Sequence, residues 1–133
     1  MNSLEEYLEL IVEPTFADMQ RHPRSGRHAF LASVATFHSI DRAAHPRKPG
    51  NLRNEWREQS PEFLIVDMVA HRFKHVQSDH EKQRPPLDAI PLIDAVFGHD
   101  RRGPEALGLD LHNLTFVIRD AIRFIRGKIA HQT

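Results

Sequence analysis

The chain has no cysteine, a single tryptophan, a single tyrosine and no net charge among its 133 residues. Without cysteine there are neither disulfides nor thiolate metal sites. No apolar run approaches the roughly 20 residues that span a bilayer. The N-terminus carries Glu5, Glu6 and Glu9 rather than the basic flank of a signal peptide. These absences predict one soluble cytoplasmic domain over residues 1–133, with no membrane partner.

Charge is balanced overall but unevenly distributed. Lysine plus arginine equals aspartate plus glutamate at 18 each, which argues against a dedicated nucleic-acid binder because such proteins depend on net positive charge. Residues 1–20 nevertheless carry only acids, whereas residues 119–133 are mainly basic. Ten histidines make the chain histidine-rich, so it becomes cationic below about pH 6.5.

Apolar residues recur at helical spacing in four stretches. The first begins at Ser3 and is interrupted at Pro14, and the second covers about 26–44. The third covers about 60–77, and the last covers about 111–131. Each follows a residue type that caps helices, namely Ser3, Ser25, Ser60 and Asp110.

The connections between these stretches are less regular. Residues 45–59 are predicted to form a basic connection with a short helical turn from Asn51. We favour packing of Trp56 and solvation of the charges, and the alternative is contact of the basic residues and Trp56 with nucleic acid. Residues 87–111 fit a strand, a short helix, a small hairpin or an ordered loop. We therefore predict an all-α bundle of about four to five helices, with an irregular segment or small hairpin before the last one.

Asp41 interrupts an otherwise apolar seam in the second predicted helix. That seam contains Phe30, Val34, Phe37, Asp41 and Ala44. An ionised carboxylate on a packing face is costly unless it is paired. One interpretation is that Asp41 pairs with an arginine of another helix or caps a backbone. The other is a site carboxylate, with His38 and His45 within a turn of it.

A narrow polar stripe follows the third predicted helix. It contains Asp67, His71, Lys74, His75 and Ser78, at steps of three and four. We favour a solvated face, because charged stripes usually are solvated. The alternative is a polar cleft in which Asp67, one turn from His71, fixes the imidazole tautomer for acid–base work or metal binding.

The last helix carries three arginines on one face: Arg119, Arg123 and Arg126. A solvated edge, or pairing with the acidic first helix, is the interpretation we favour for such a ladder. The alternative is a surface for anions or for an RNA backbone.

The run Ala70-His71-Arg72-Phe73-Lys74-His75 resembles the A-x-x-x-K-H ending of small bacterial helical proteins placed near the HEPN superfamily. The order of long helices, an irregular segment and a last helix is similar to that group. RNase members of the superfamily use an Arg followed, after four to six residues, by a His. Val66 and Ala70 stand where this arginine would precede His71 and His75, and the two matches elsewhere, Arg126–His131 and Arg21–His28, are expected by chance.

Three functions fit these observations. The first is a non-catalytic, homodimeric interaction module, since bundles of this size often bury surplus apolar surface against a copy of themselves. The second, implied by the resemblance, is an RNA- or nucleotide-processing protein that uses His71, Lys74, His75 and Asp41 together with the C-terminal arginines. The third is an enzyme that depends on a divalent metal, which is the function we favour least. The ligands of that metal would be imidazole and carboxylate groups, from His38, Asp41, His45, Asp67, His71 and His75.

Overall fold

The computed structural model describes residues 3–72, 90–98 and 109–131. Within these ranges all regular structure is helical and no strand occurs. The prediction of an all-α fold is therefore confirmed.

The N-terminal helix is broken by a π-helical turn. Helix α1 covers Ser3–Tyr7, the π-helical turn covers Leu8–Val12, and α2 covers Glu13–Arg21. Pro14 lies in the first turn of α2, where a missing amide hydrogen is tolerated. The interruption predicted at Pro14 is thus a local change of helical pitch immediately before the proline.

Helix α3, Gly26–Phe37, runs back antiparallel to the N-terminal helix. The four residues after Arg21 make the turn, and the Ser25 hydroxyl accepts a hydrogen bond from the His28 amide as the predicted cap. The Tyr7 hydroxyl donates to the Ala35 carbonyl at 2.8 Å. The chain then breaks at His38 before α4, Ser39–Ala44, so the single helix predicted over 26–44 is two helices.

Four further helices complete the described part of the bundle. They are α5 (Gly50–Gln59), α6 (Pro61–Arg72), α7 (Ile90–Phe97) and α8 (Leu111–His131). The short turn predicted from Asn51 is a ten-residue helix, and α7 realises the short-helix alternative for that segment. Any continuation of the third predicted helix to residue 77 lies outside the described residues.

Helix α6 lies at the centre of the core. Its residues 63–70 are all buried, and it packs against α3, α5, α7 and α8. Trp56 is buried edge-on against Phe63 and Phe124, which confirms its predicted packing role. The Ser60 hydroxyl accepts from the Phe63 amide and the Asp110 carboxylate accepts from the Asn113 amide, so both predicted caps are present.

Counting each broken helix as one rod gives six rods in the part of the chain that the structure describes. The additional rods relative to the prediction are α5 and α7. None of the described helices combines the length and the apolar composition that crossing a bilayer would require.

Candidate functional site

The polar stripe on α6 leads into the interior at Asp67. This carboxylate has 0% exposure, so the favoured interpretation of a solvated face is wrong for Asp67. An ionised group at such a position requires compensating hydrogen bonds and charge.

Two arginines of α5 supply that compensation. Two nitrogen atoms of the Arg53 guanidinium group donate to the Asp67 carboxylate: Nε to Oδ2 at 2.7 Å and Nη2 to Oδ1 at 2.9 Å. The Nε atom of Arg57 lies 3.7 Å from Asp67 Oδ2. Bidentate pairs of this kind are among the stronger polar interactions in proteins.

Sequence reasoning missed both arginines, because it treated the charges of this connection as solvated. Arg53 and Arg57 lie four positions apart and therefore share one face of α5. Trp56, already expected to pack on the core, is between them in sequence. That helical spacing was the available signal for a carboxylate partner.

His71 completes the cluster from within α6. Its Nδ1 lies 2.8 Å from Asp67 Oδ1 and 2.8 Å from the Asp67 carbonyl oxygen. Because both neighbours are acceptors, Nδ1 must carry a proton. The predicted role of Asp67 in fixing the imidazole tautomer therefore has the required geometry, with Nε2 as the basic nitrogen of the neutral ring.

The surroundings shift the ionisation of both partners. Burial opposes ionisation of Asp67, but hydrogen bonds from His71 and Arg53, with the charges of Arg53 and Arg57, hold its pKa below the usual 3.8. The hydrogen bond to Asp67 raises the pKa of His71 above 6.5, against the opposing effects of burial and of Arg53. Protonation of His71 and ionisation of Asp67 therefore support each other.

Phe37 of α3 forms the apolar wall of this cluster. The imidazole of His71 meets its ring edge-on with centroids 4.7 Å apart. The Arg53 guanidinium carbon lies 5.4 Å from the same ring centroid, within cation–π range. The cluster Arg53, Arg57, Asp67 and His71, with Phe37, is hereafter the polar centre.

Asp41 lies elsewhere, and the expectation that it sits on a packing face is wrong. Its side chain is half-exposed and pairs with the equally exposed His38, three residues earlier, at 2.9 Å. The buried face of α3 is instead lined mainly by small residues: Ala29, Ala32, Ser33, Ala35 and Thr36. Small side chains allow neighbouring helices to approach closely. The larger side chains of Phe30 and Val34 are only partly buried, at the edge of this face.

Five of the six residues predicted as metal ligands lie in the described part of the chain, and they are not gathered into one cluster. His38 pairs with Asp41, His71 pairs with Asp67, and His45 is exposed. No group of three or more histidine, aspartate or glutamate residues able to hold a metal ion occurs within residues 3–72, 90–98 and 109–131. Lys74 and His75, predicted as catalytic, lie outside the described residues.

The arginine ladder of α8 is occupied by carboxylates. Arg126 binds Glu13 of α2 at 2.9 Å, which matches the predicted pairing with the acidic N-terminal region. Arg119 and Arg123 both reach Asp120 on their own helix, at 3.1 and 3.5 Å. Arg119 also stacks over the exposed ring of Phe116.

Four large apolar side chains are exposed among the described residues. They are Leu10 (65%), Ile11 (46%), Leu31 (47%) and Phe116 (44%). Leu10 and Ile11 lie in the π-helical turn and Leu31 lies on α3, the helix antiparallel to it. We call the surface formed by Leu10, Ile11 and Leu31 the hairpin face.

Comparison with known proteins yields no relative for this chain. No family model matches it, and neither a curated protein nor a solved structure is significantly similar to it.

Proposed function

We propose that the chain is a helical interaction module that acts as a homodimer. The observation that carries this proposal is the exposure of three large apolar side chains on the hairpin face, which two packed helices form. Single exposed apolar residues are ordinary, but contiguous ones usually mark a surface that is covered by a partner.

The polar centre supports the non-catalytic part of this proposal. Its only carboxylate, Asp67, is fully buried and held by Arg53 and His71 on both oxygens. A carboxylate committed in this way fixes α5 against α6, which is a structural role. Burying the apolar surface, in contrast, would favour an assembly, because it removes apolar area from water.

Sedimentation equilibrium over a wide range of protein concentration tests this function. We expect a reversible monomer–dimer equilibrium, in which the average mass approaches twice the chain mass of 15.4 kDa. A strictly monomeric chain at the highest concentrations would refute the proposal.

The second candidate is HEPN-like RNA or nucleotide processing. The observation that favours it is the contact of 2.8 Å between His71 Nδ1 and Asp67. A carboxylate so placed leaves the opposite nitrogen of His71 as the basic one, suited to accept a proton from a ribose hydroxyl. Lys74 and His75 would supply charge, as the sequence resemblance implies.

Incubation with a mixture of structured and single-stranded RNAs tests this candidate. Cleavage should fall at least about 100-fold in His71→Gln, as expected for loss of a general base, and should also be lost in His75→Ala. His112→Gln, at an exposed position of α8, is the matched control and should cleave normally. Absence of cleavage by the unsubstituted chain would remove this candidate.

A further inference from the structure

The hydrogen bond between Tyr7 and Ala35 fixes the register of the two helices that form the hairpin face. The Tyr7 hydroxyl reaches the Ala35 carbonyl, and the helices run antiparallel on either side of the turn after Arg21. Four residues further along the first helix is Ile11, and four residues back along α3 is Leu31. These two exposed side chains therefore lie at the same level, with Leu10 next to Ile11.

Charges of opposite sign flank this apolar centre. Glu6 and Glu9 are exposed on the N-terminal side, and Arg24 and Arg27 are exposed on the side of the turn. Glu6 precedes Ile11 by five residues and Arg27 precedes Leu31 by four, so these two charges lie about 6–8 Å from the centre along the helices at 1.5 Å per residue. Glu9 is nearer to the centre, and Arg24 is farther from it, in the turn before α3.

These four charges have no ion-pair partner among residues 3–72, 90–98 and 109–131. At the acidic end, Arg42 lies over the Tyr7 ring and donates to Ser3, and the negative charge of Asp41 also acts on Tyr7, so these two further charges have opposite signs. On the basic end, Asp18 pairs with Arg21. The hairpin face therefore presents one acidic end and one basic end.

We propose that two copies of the chain pair through the hairpin face about a two-fold axis that lies in the interface, perpendicular to the helices, at the level of Leu10, Ile11 and Leu31. Such an axis reverses the helix direction, so the acidic end of one copy meets the basic end of the other at both ends. This inference rests on the proposed function and specifies which surface performs it. Opposite charges would set the register, and apolar burial would supply most of the affinity.

Charge reversal with mixing tests the two-fold arrangement. One variant carries Glu6→Arg and Glu9→Arg, and a second carries Arg24→Glu and Arg27→Glu. Each alone places like charges against each other at both ends, so we expect its dimer dissociation constant to rise at least about tenfold. An equimolar mixture should form heterodimers with roughly the original affinity, because both ends are then complementary.

Apolar substitution tests the centre of the face. Ile11→Asp with Leu31→Asp should abolish dimerisation at concentrations where the unsubstituted chain is dimeric. Phe116→Asp, which changes an equally exposed apolar side chain on α8, is the matched control and should leave the dimer intact. Circular dichroism of each variant establishes that the helices are retained, as expected for exposed positions.

The outcomes separate this inference from the function on which it rests. If the unsubstituted chain never dimerises, both fail. If it dimerises but the hairpin-face variants dimerise equally well, or Phe116→Asp alone disrupts the dimer, the interaction module stands and this surface is wrong. If the reversed variants are weakened and their mixture is not restored, the two-fold register is wrong.

Discussion

At the scale of single residues, Asp67 and Asp41 form a natural pair for comparison. Each contacts a histidine on nearly the same spacing, but Asp67 is fully buried and also bound by Arg53, whereas Asp41 is half-exposed. Removing one partner from a buried charged network leaves the others uncompensated. Exposed pairs contribute little.

We predict that Asp67→Asn lowers the free energy of unfolding by about 3 kcal/mol, since breaking buried pairs typically costs about 3–5 kcal/mol. Asp41→Asn should change it by less than about 0.5 kcal/mol, as for other exposed substitutions. Urea denaturation followed by circular dichroism measures both. If the free energy of unfolding fell equally in the two variants, the burial of Asp67 would not be the cause of its contribution to stability.

His71 should give stability a characteristic pH dependence. Its pKa is raised above 6.5 in the folded protein, so its stabilising effect is fully present below pH 6.5 and is lost as pH rises through the folded value. The pKa of Asp67 lies below 3.8, so Asp67 stays ionised throughout this window.

The stability advantage of the unsubstituted chain over His71→Gln should therefore shrink as pH increases from below 6.5. Urea unfolding of both proteins at a series of pH values measures this difference. An advantage that grows with pH would mean that the folded state favours the neutral imidazole and would contradict the contact with Asp67.

Residue-level prediction from sequence succeeded where a contact is local and failed where it is tertiary. The Asp67–His71 pair follows from one helical turn within α6. The burial of Asp67 depends on Arg53, which is 14 residues away and belongs to another helix. For Asp41, the larger side chains suggested a seam, whereas the actual packing face is built from alanine, serine and threonine.

At the scale of elements, two glycines allow a test in which the same substitution is expected to change stability in opposite directions. Gly98 follows α7 with φ of +74°, and its amide donates to the Asp94 carbonyl at 2.8 Å. This is the left-handed conformation in which helices often end. Gly127 lies inside α8, and an added Cβ at either position meets nothing within 4 Å.

We predict that Gly98→Ala destabilises the protein by about 1 kcal/mol, because a Cβ is unfavourable in the left-handed region. Gly127→Ala should stabilise it by up to about 1 kcal/mol through helix propensity. Thermal unfolding of the two variants shows whether each substitution raises or lowers stability. Stabilisation by Gly98→Ala would show that this residue does not end α7 in the left-handed conformation.

The starts of helices were the most predictable elements. Ser25, Ser60 and Asp110 each accept a backbone amide hydrogen bond from the residue three positions later, and such caps depend only on neighbouring residues. The break at His38 and the full length of α5 were not predictable in this way. In the structure α4 packs against α1 and α5 packs against α6, and no local pattern encodes such tertiary contacts.

At the scale of the whole molecule, the net charge is zero, but exposed acidic and basic residues are separated from each other on the hairpin face. Glu6 and Glu9 lie at one end of the hairpin face, and Arg24 and Arg27 lie at the other. The acidic character of residues 1–20 was noted from the sequence, but neither the basic end at Arg24 and Arg27 nor the antiparallel register set by Tyr7 and Ala35 was. That register turns two separate charged segments into one self-complementary surface.

The most direct test of this account is an isotope-filtered NOE experiment on a sample that mixes labelled and unlabelled chains. Such an experiment detects only contacts between copies. We predict intermolecular NOEs among the methyl groups of Leu10, Ile11 and Leu31 and none to the ring of Phe116. Intermolecular NOEs confined to α8, or none from the hairpin face in a sample known to be dimeric, would contradict the proposed pairing.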